Sequence, residues 1–166
     1  MSAFAEILET IAHVPIQKRA VTNHGVLNEA YCYAKPSSFS RAMRIDIGGV
    51  TILLISGTAS IDENGTSVHI GDFRAQMRRT LANITGLLSA EGCTWHDIVR
   101  TTCYLRDIER DYEAFNEERT AFYKEQGLDP LPASTGIQAI LCRPELLVEI
   151  EAIAMFRTDK AANAKE

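Results

Sequence analysis

Residues 147–154 read Leu, Val, Glu, Ile, Glu, Ala, Ile, Ala, an apolar segment interrupted twice by carboxylates. Side chains alternate between the two faces of a strand. Glu149 and Glu151 therefore share one face, and Val148, Ile150, Ala152 and Ala154 share the other. The apolar face is a core face. The acidic face must meet solvent, a cleft or another subunit, because an unpaired buried carboxylate costs several kcal/mol or shifts its pKa. A strand of this kind belongs to a sheet that its own chain covers on one side only.

The rest of the chain supplies that cover. Residues 43–47 and 51–56 flank Gly48 and Gly49, a two-glycine turn that supports positive φ, and predict a β-hairpin. The second strand runs into Ser56, Gly57, Thr58, Ala59 and Ser60, small residues that allow a ligand to approach the backbone. Asp72 is placed as an N-cap for a helix reaching Ala90, with Phe73, Met77, Leu81, Ile84, Leu87 and Leu88 recurring near period 3.6. Arg74, Arg78 and Arg79 lie off that stripe and read as solvated or ion-paired. Thr94 with Asp97 reads as a capped turn before a β-branched strand over 98–105. A second helix is predicted over 108–126, anchored by Tyr112, Phe115, Phe122 and Tyr123 and closed by Gly127 and Pro130. Strands are predicted over about 136–142 and 146–156. The order predicts a two-layer α+β domain, a mixed sheet with two helices packed on one face. The other face should be buried by association in a closed symmetric oligomer.

The domain is expected over residues 36–157. Residues 1–35 read as an extension with a short amphipathic helix over 3–12, stopped by Pro15, and a partly extended stretch over 26–34. Residues 158–166 read as a frayed tail.

Composition narrows the function. With 22 acidic against 17 basic side chains the net charge is −5, which argues against a nucleic-acid surface. No apolar stretch approaches the roughly 20 residues that span a bilayer, and the N-terminus has no secretory pattern, so the expected location is cytoplasmic, away from membranes. Cys32, Cys93, Cys103 and Cys142 form no C-x-x-C pair, and His13, His24, His69 and His96 are scattered. No metal site and no cofactor is expected.

Several short stretches lie in an order that resembles the YjgF/RidA (Rid, endoribonuclease L-PSP) family. They are residues 55–59 with Gly71, Asp72 and Gln76; residues 81–84; residues 97–99; Phe115 with Asn116; Pro132 with Ala133; and residues 148–154. The resemblance implies a chorismate-mutase-like (YjgF-like) fold and a homotrimer whose ligand clefts lie between subunits. It also implies hydrolysis of enamine or imine intermediates. In the family pattern P-A-R-S/T an arginine clamps the substrate carboxylate, and the first Glu of V-E-I-E orients or activates water. Glu149 matches that Glu and Thr135 the hydroxyl residue. The arginine position is Ser134, and a hydroxyl does not replace a bidentate guanidinium. Phe39 matches a cleft tyrosine. Residues 55–60, 104–106 and 141–149 also resemble the C-terminal domain of chorismatases, in which the matching Glu donates a proton and a Cys can stand at the position of Cys142.

The candidate catalytic residues are accordingly Glu149 and Cys142. The latter reads more readily as a small buried hydrophobe than as a nucleophile. Candidate substrate contacts are Phe39, Ser56, Gly57, Thr58, Ser134, Thr135 and Arg143, the last as a replacement cation. Glu151 reads as a structural or ion-paired acid, and Arg41 and Arg106 as interface ion pairs. The expected function is hydrolysis of a small carboxylic metabolite at inter-subunit clefts, with Glu149 as general acid/base. A non-catalytic metabolite-binding trimer and chorismatase-like hydrolysis of an enol ether are the alternatives. Endoribonuclease activity fits the charge least.

Overall fold

The structure, a computed structural model, describes residues 14–159. The helix expected over 3–12 lies outside them, as does most of the tail. The strands are β1 (Gln17–Val21), β2 (Ala42–Ile47), β3 (Val50–Ala59), β4 (Ile98–Leu105), β5 (Ala133–Gln138) and β6 (Val148–Arg157), with helices α1 (Phe73–Ala90) and α2 (Ile108–Glu125). They form one sheet in the order β1-β2-β3-β6-β4-β5. The β4–β5 pair is parallel and the other pairs are antiparallel. The expected hairpin closes through Gly48 and Gly49 at φ 58° and 77°.

Strand β6 sits between β3 and β4, where its alternation is most constrained. Val148, Ile150, Ala152, Ala154 and Phe156 are buried against the helices, with α1 lying on β3 and β6 and α2 on β4. The predicted α1 stripe is buried without exception. Asp72 caps α1 by accepting from the Ala75 amide at 3.0 Å, and Asp107 caps α2 through Arg110 N at 3.0 Å. Of the α2 anchors, Phe115 and Tyr123 are buried and Phe122 packs against the core, but Tyr112 is exposed. Trp95 is buried edge-on to Phe122 and donates to Thr85 Oγ1 at 2.8 Å.

Two strands depart from the sequence expectation. Strand β1 joins the sheet ahead of residue 36, while residues 26–34 form a turn and a short 3-10 segment. Strand β5 lies at 133–138 rather than 136–142, and residues 139–147 form a loop. Both are edge strands with solvent on most side chains, so neither carries the apolar alternation that marks a core strand.

The face away from the helices is open. Leu54, Ile137 and Met155 are each more than 40% exposed there, an apolar surface of the kind that association covers. The three α1 arginines behave as expected: Arg74 and Arg78 pair with Glu117 and Glu118, and Arg79 donates to Ile61 O.

One buried ionic group ties β1 and β2 to the end of α1. Glu91, almost wholly buried, accepts from Arg19 at 2.6 Å and from Arg44 at 2.8 Å, and Arg44 also holds Asp46. Glu91→Gln leaves the buried Arg44 guanidinium without its inner partner. A loss of about 3 kcal/mol is expected in urea unfolding. A change within experimental error would show that the group adds nothing to stability.

Candidate functional site

The open face of the sheet becomes a cavity where the end of β3 runs beside the start of β6. Side chains from 33–41 and 142–146 wall it, giving a volume of about 460 Å³. Of the residues proposed from sequence, Phe39, Ser56, Gly57, Cys142, Arg143 and Glu149 all line it.

Local backbone geometry explains the position of Glu149. The β3–β6 register breaks between Ile55 and Thr58, so Ser56 and Gly57 bulge out of the ladder. Bare backbone at Gly57 then makes room for the Glu149 carboxylate. A Cβ there would lie 2.0 Å from Glu149 Oε1 and 3.0 Å from Cδ. Among the described residues Glu149 has neither a hydrogen-bond nor an ion-pair partner. Burial, and behind it the charge of Glu151, pushes its carboxyl above the usual carboxylate range. Glu151 is exposed and meets the Tyr104 hydroxyl. Both acids of β6 line the cavity but differ in kind: Glu149 is desolvated, whereas Glu151 is exposed and hydrogen-bonded.

Two guanidinium groups face the same cavity. Arg143 donates to Gly65 O at 2.7 Å and Ser67 Oγ at 3.2 Å. Arg41, assigned from sequence to an interface ion pair, is instead buried. It donates to Asn28 O at 3.0 and 2.9 Å and to the Tyr33 hydroxyl, and its guanidinium lies 4.9 Å from the Tyr33 ring centre and 5.2 Å from that of Phe39. Burial, opposed by the charge of Glu29 and reinforced by that of Arg143, lowers the Arg41 pKa from its ordinary value. Glu29 is itself fully buried, and neither of its carboxylate oxygens has a hydrogen bond. The acceptors holding the two arginines are all neutral, so both guanidinium groups keep their charge available to an anion in the cavity.

Arg106, read from sequence as an interface residue, makes its hydrogen bonds within the chain. It fastens the loop that carries Cys142 and Arg143, donating to the carbonyls of Leu146 at 2.5 Å and Arg143 at 2.6 Å. Gln76 of α1, wholly buried, grips the same loop from the other side through Glu145 O at 2.9 Å and Leu147 N at 2.8 Å. The cavity wall is a loop with its backbone groups satisfied by two side chains from rigid elements.

Three proposed residues do not line this cavity. Thr58 is buried and donates to Ser56 O at 2.9 Å, supporting the bulge from behind. Ser134 and Thr135 lie on β5. Thr135 Oγ1 accepts from Arg100, while Ser134 Oγ meets Thr101 and Arg119, each at 3.0 Å. Sequence reasoning missed Tyr33 and Ser37 as wall residues, since they lie in a stretch without periodicity. Among the described residues no group of three or more His, Cys, Asp or Glu side chains is placed to hold a metal ion, and no helix is long and apolar enough to cross a membrane.

A family model described as Endoribonuclease L-PSP matches residues 34–156. The 3-aminoacrylate deaminase RutC of Acinetobacter baylyi is 35% identical over 103 residues, which is 62% of this chain and 78% of that protein. A RutC family protein of Haemophilus influenzae is 32% identical over 111 residues, 67% of this chain and 82% of that one. Among solved structures, the YjgF gene product of E. coli superimposes with a TM-score of 0.67 at 25% identity, over 84% of this chain and 99% of its own. The Rid family protein YyfA of Yersinia pestis gives 0.67 at 27% identity, over 83% and 98%. With strand order, helix placement and a family match from residue 34 to 156 in agreement, the chain belongs to the YjgF/RidA (endoribonuclease L-PSP) family.

Proposed function

We propose that this protein hydrolyses a small enamine or imine bearing a carboxylate, at the Glu149 cavity, with Glu149 as general acid/base. The observation that carries the reading is the Glu149 carboxyl. It is desolvated, raised in pKa and without a partner of its own, in a cavity that also holds Arg41 and Arg143. A carboxyl that stays protonated closer to neutrality is suited to giving a proton and taking it back.

The substrate carboxylate is held by Arg143 and Arg41. Glu149 gives its proton to the β-carbon of the enamine, leaving an iminium. Water adds to the iminium carbon and returns a proton to Glu149, forming a carbinolamine. The carbon–nitrogen bond then breaks, the hydroxyl proton goes to nitrogen, and ammonia and a carbonyl compound leave. The similarity to a 3-aminoacrylate deaminase supports this chemistry. The open apolar face supports a trimer with the cavity at its subunit boundaries, where Ser134 and Thr135 of a neighbouring copy become available to the ligand.

A second reading is favoured by the presence of two guanidinium groups in one cavity. They fit an enol ether with two carboxylates, hydrolysed in the manner of chorismatases by the same proton donor. One panel separates the readings: 3-aminoacrylate and 2-iminopropionate followed by ammonia release, chorismate by pyruvate release. Ammonia release that raises KM about tenfold in Arg143→Gln with a smaller change in kcat is the expected result. Turnover of chorismate alone would establish the second reading. No turnover of any of the three would overturn the hydrolase and favour a binding protein. Sedimentation equilibrium is expected to give the mass of three chains.

A further inference from the structure

We propose that Glu29, which does not itself line the Glu149 cavity, limits that cavity to ligands bearing a single carboxylate. The inference rests on the Glu149 cavity as a carboxylate-binding site and names the charge its ligand carries. Residue 29 precedes the family match, which begins at residue 34, so the device stands outside the matched domain.

Arg41 and Arg143 lie against one ring, their guanidinium carbons 4.9 and 5.9 Å from the centre of Tyr33. Two cations held by neutral acceptors have the makings of a receptor for a dianion. Glu29 changes that count. The other buried acids among the described residues, Glu91 and Asp111, are each bonded by an arginine. Glu29 is more deeply buried than either, yet neither of its carboxylate oxygens accepts a hydrogen bond. Besides burial, the charges that act on Arg41 are those of Glu29 and Arg143, in opposite senses.

The backbone fixes this arrangement. Asn28 N donates to Glu63 O at 3.3 Å, Glu29 N to Asn28 Oδ1 at 2.9 Å and Cys32 N to Glu29 O at 2.9 Å. Asn28 O, one residue before the acid, is the acceptor that holds Arg41 through Nε and Nη2. An acid bonded directly to Arg41 would occupy its fork. One held at a remove offsets the charge and leaves the Nη1 donors, uncommitted among the described residues, to a ligand.

The two arginines less Glu29 leave one positive charge. Glu149 enters the proposed reaction protonated. Glu151 is exposed and Glu145 only partly buried, so water screens both. One carboxylate, spread across Arg41 and Arg143, completes the balance. A second would enter the cavity without a counter-charge. The remaining wall suits a neutral body, since Phe39, Ala59, Ile61 and Leu146 are apolar.

The test compares crotonate with fumarate, which share one trans skeleton and differ by a methyl group against a second carboxylate. Affinities are measured by calorimetry on the full chain at pH 7, and the methyl signals of Ile61 and Leu146 in NMR locate the binding. The unmodified protein is expected to bind crotonate at least as tightly as fumarate. Glu29→Gln should raise the affinity for fumarate about tenfold or more relative to crotonate. Glu29→Asp, which keeps the charge, should retain the parent's order, a rescue that a merely structural role does not predict. Tighter binding of fumarate by the parent, an unchanged ratio in Glu29→Gln, or no shift at Ile61 and Leu146 would each overturn the proposal. Neither probe has ammonia to release, so the outcome is separate from imine hydrolysis, which can fail while the charge count holds. The probe comparison in the unmodified protein decides the matter even if a variant folds poorly.

Discussion

Glu149→Gln is expected to reduce turnover by about 10²–10⁴-fold, the usual contribution of a positioned general acid/base. The amide matches the carboxyl in shape, so KM should change little. The same variant should be more stable than the parent at neutral pH. Burial raises the Glu149 pKa, so ionisation of this carboxyl opposes folding in the parent and is absent from the variant. The sign follows from linkage. A carboxyl whose folded pKa exceeds its unfolded value favours folding while protonated; that contribution is complete below the unfolded value, about 4.3, and is lost as pH rises through the folded one. Melting temperatures of parent and variant should therefore diverge from about pH 4 upward, with the variant higher, and run parallel once the parent is fully ionised. The parent's pH–rate profile should show a limb at the same raised pKa. Full activity in Glu149→Gln would remove Glu149 from the mechanism. A variant melting below the parent at pH 7 would show that the carboxylate is stabilised by its surroundings after all.

Gly57→Ala has the second large effect, and it separates position from chemistry. The added methyl group would fall 2.0 Å from Glu149 Oε1, so carboxylate and methyl cannot both keep their places. The atom displaced is the far end of a flexible side chain beside an open cavity, and moving it costs the fold little. The reaction loses much more, since a displacement of about 1 Å in a reacting group costs on the order of 100-fold in rate. The expected result is a fall of about 100-fold in kcat/KM with a stability change within about 1 kcal/mol, read by steady-state kinetics and urea unfolding on the same preparation. Near-normal kcat/KM would mean that the seat on Gly57 is incidental. Large destabilisation would mean that Gly57 serves the bulge rather than the carboxylate.

How far the site could be read from sequence depended on where each residue lies in the sheet. Strand β6 was legible to the residue: a central strand buries every second side chain, and alternation by itself assigns Glu149 and Glu151 to the open face. The α1 stripe was equally plain, because a helix lying on a sheet repeats near period 3.6. Edge strands β1 and β5 carried no such mark, as their side chains face water whatever the register. Arg41 shows a second reason for failure. An arginine beside aromatic and small residues can lie at a surface, an interface or a cavity, and only tertiary contacts with Asn28, Tyr33 and Phe39 place it in the cavity wall.

Sequence alone determined the layered α+β architecture, the open sheet face and the pair of acids on it, because each follows from periodicities that a local window records. The tertiary structure decided what those acids are. It seated Glu149 on the bare backbone of Gly57 and left Glu151 in solvent, and it separated Ser134 from the Glu149 cavity to meet Arg119. The physical reason is desolvation. Whether a carboxylate or a guanidinium acts as a chemical group or as a solvated surface charge depends on what the rest of the chain packs around it, and that packing joins residues far apart in sequence.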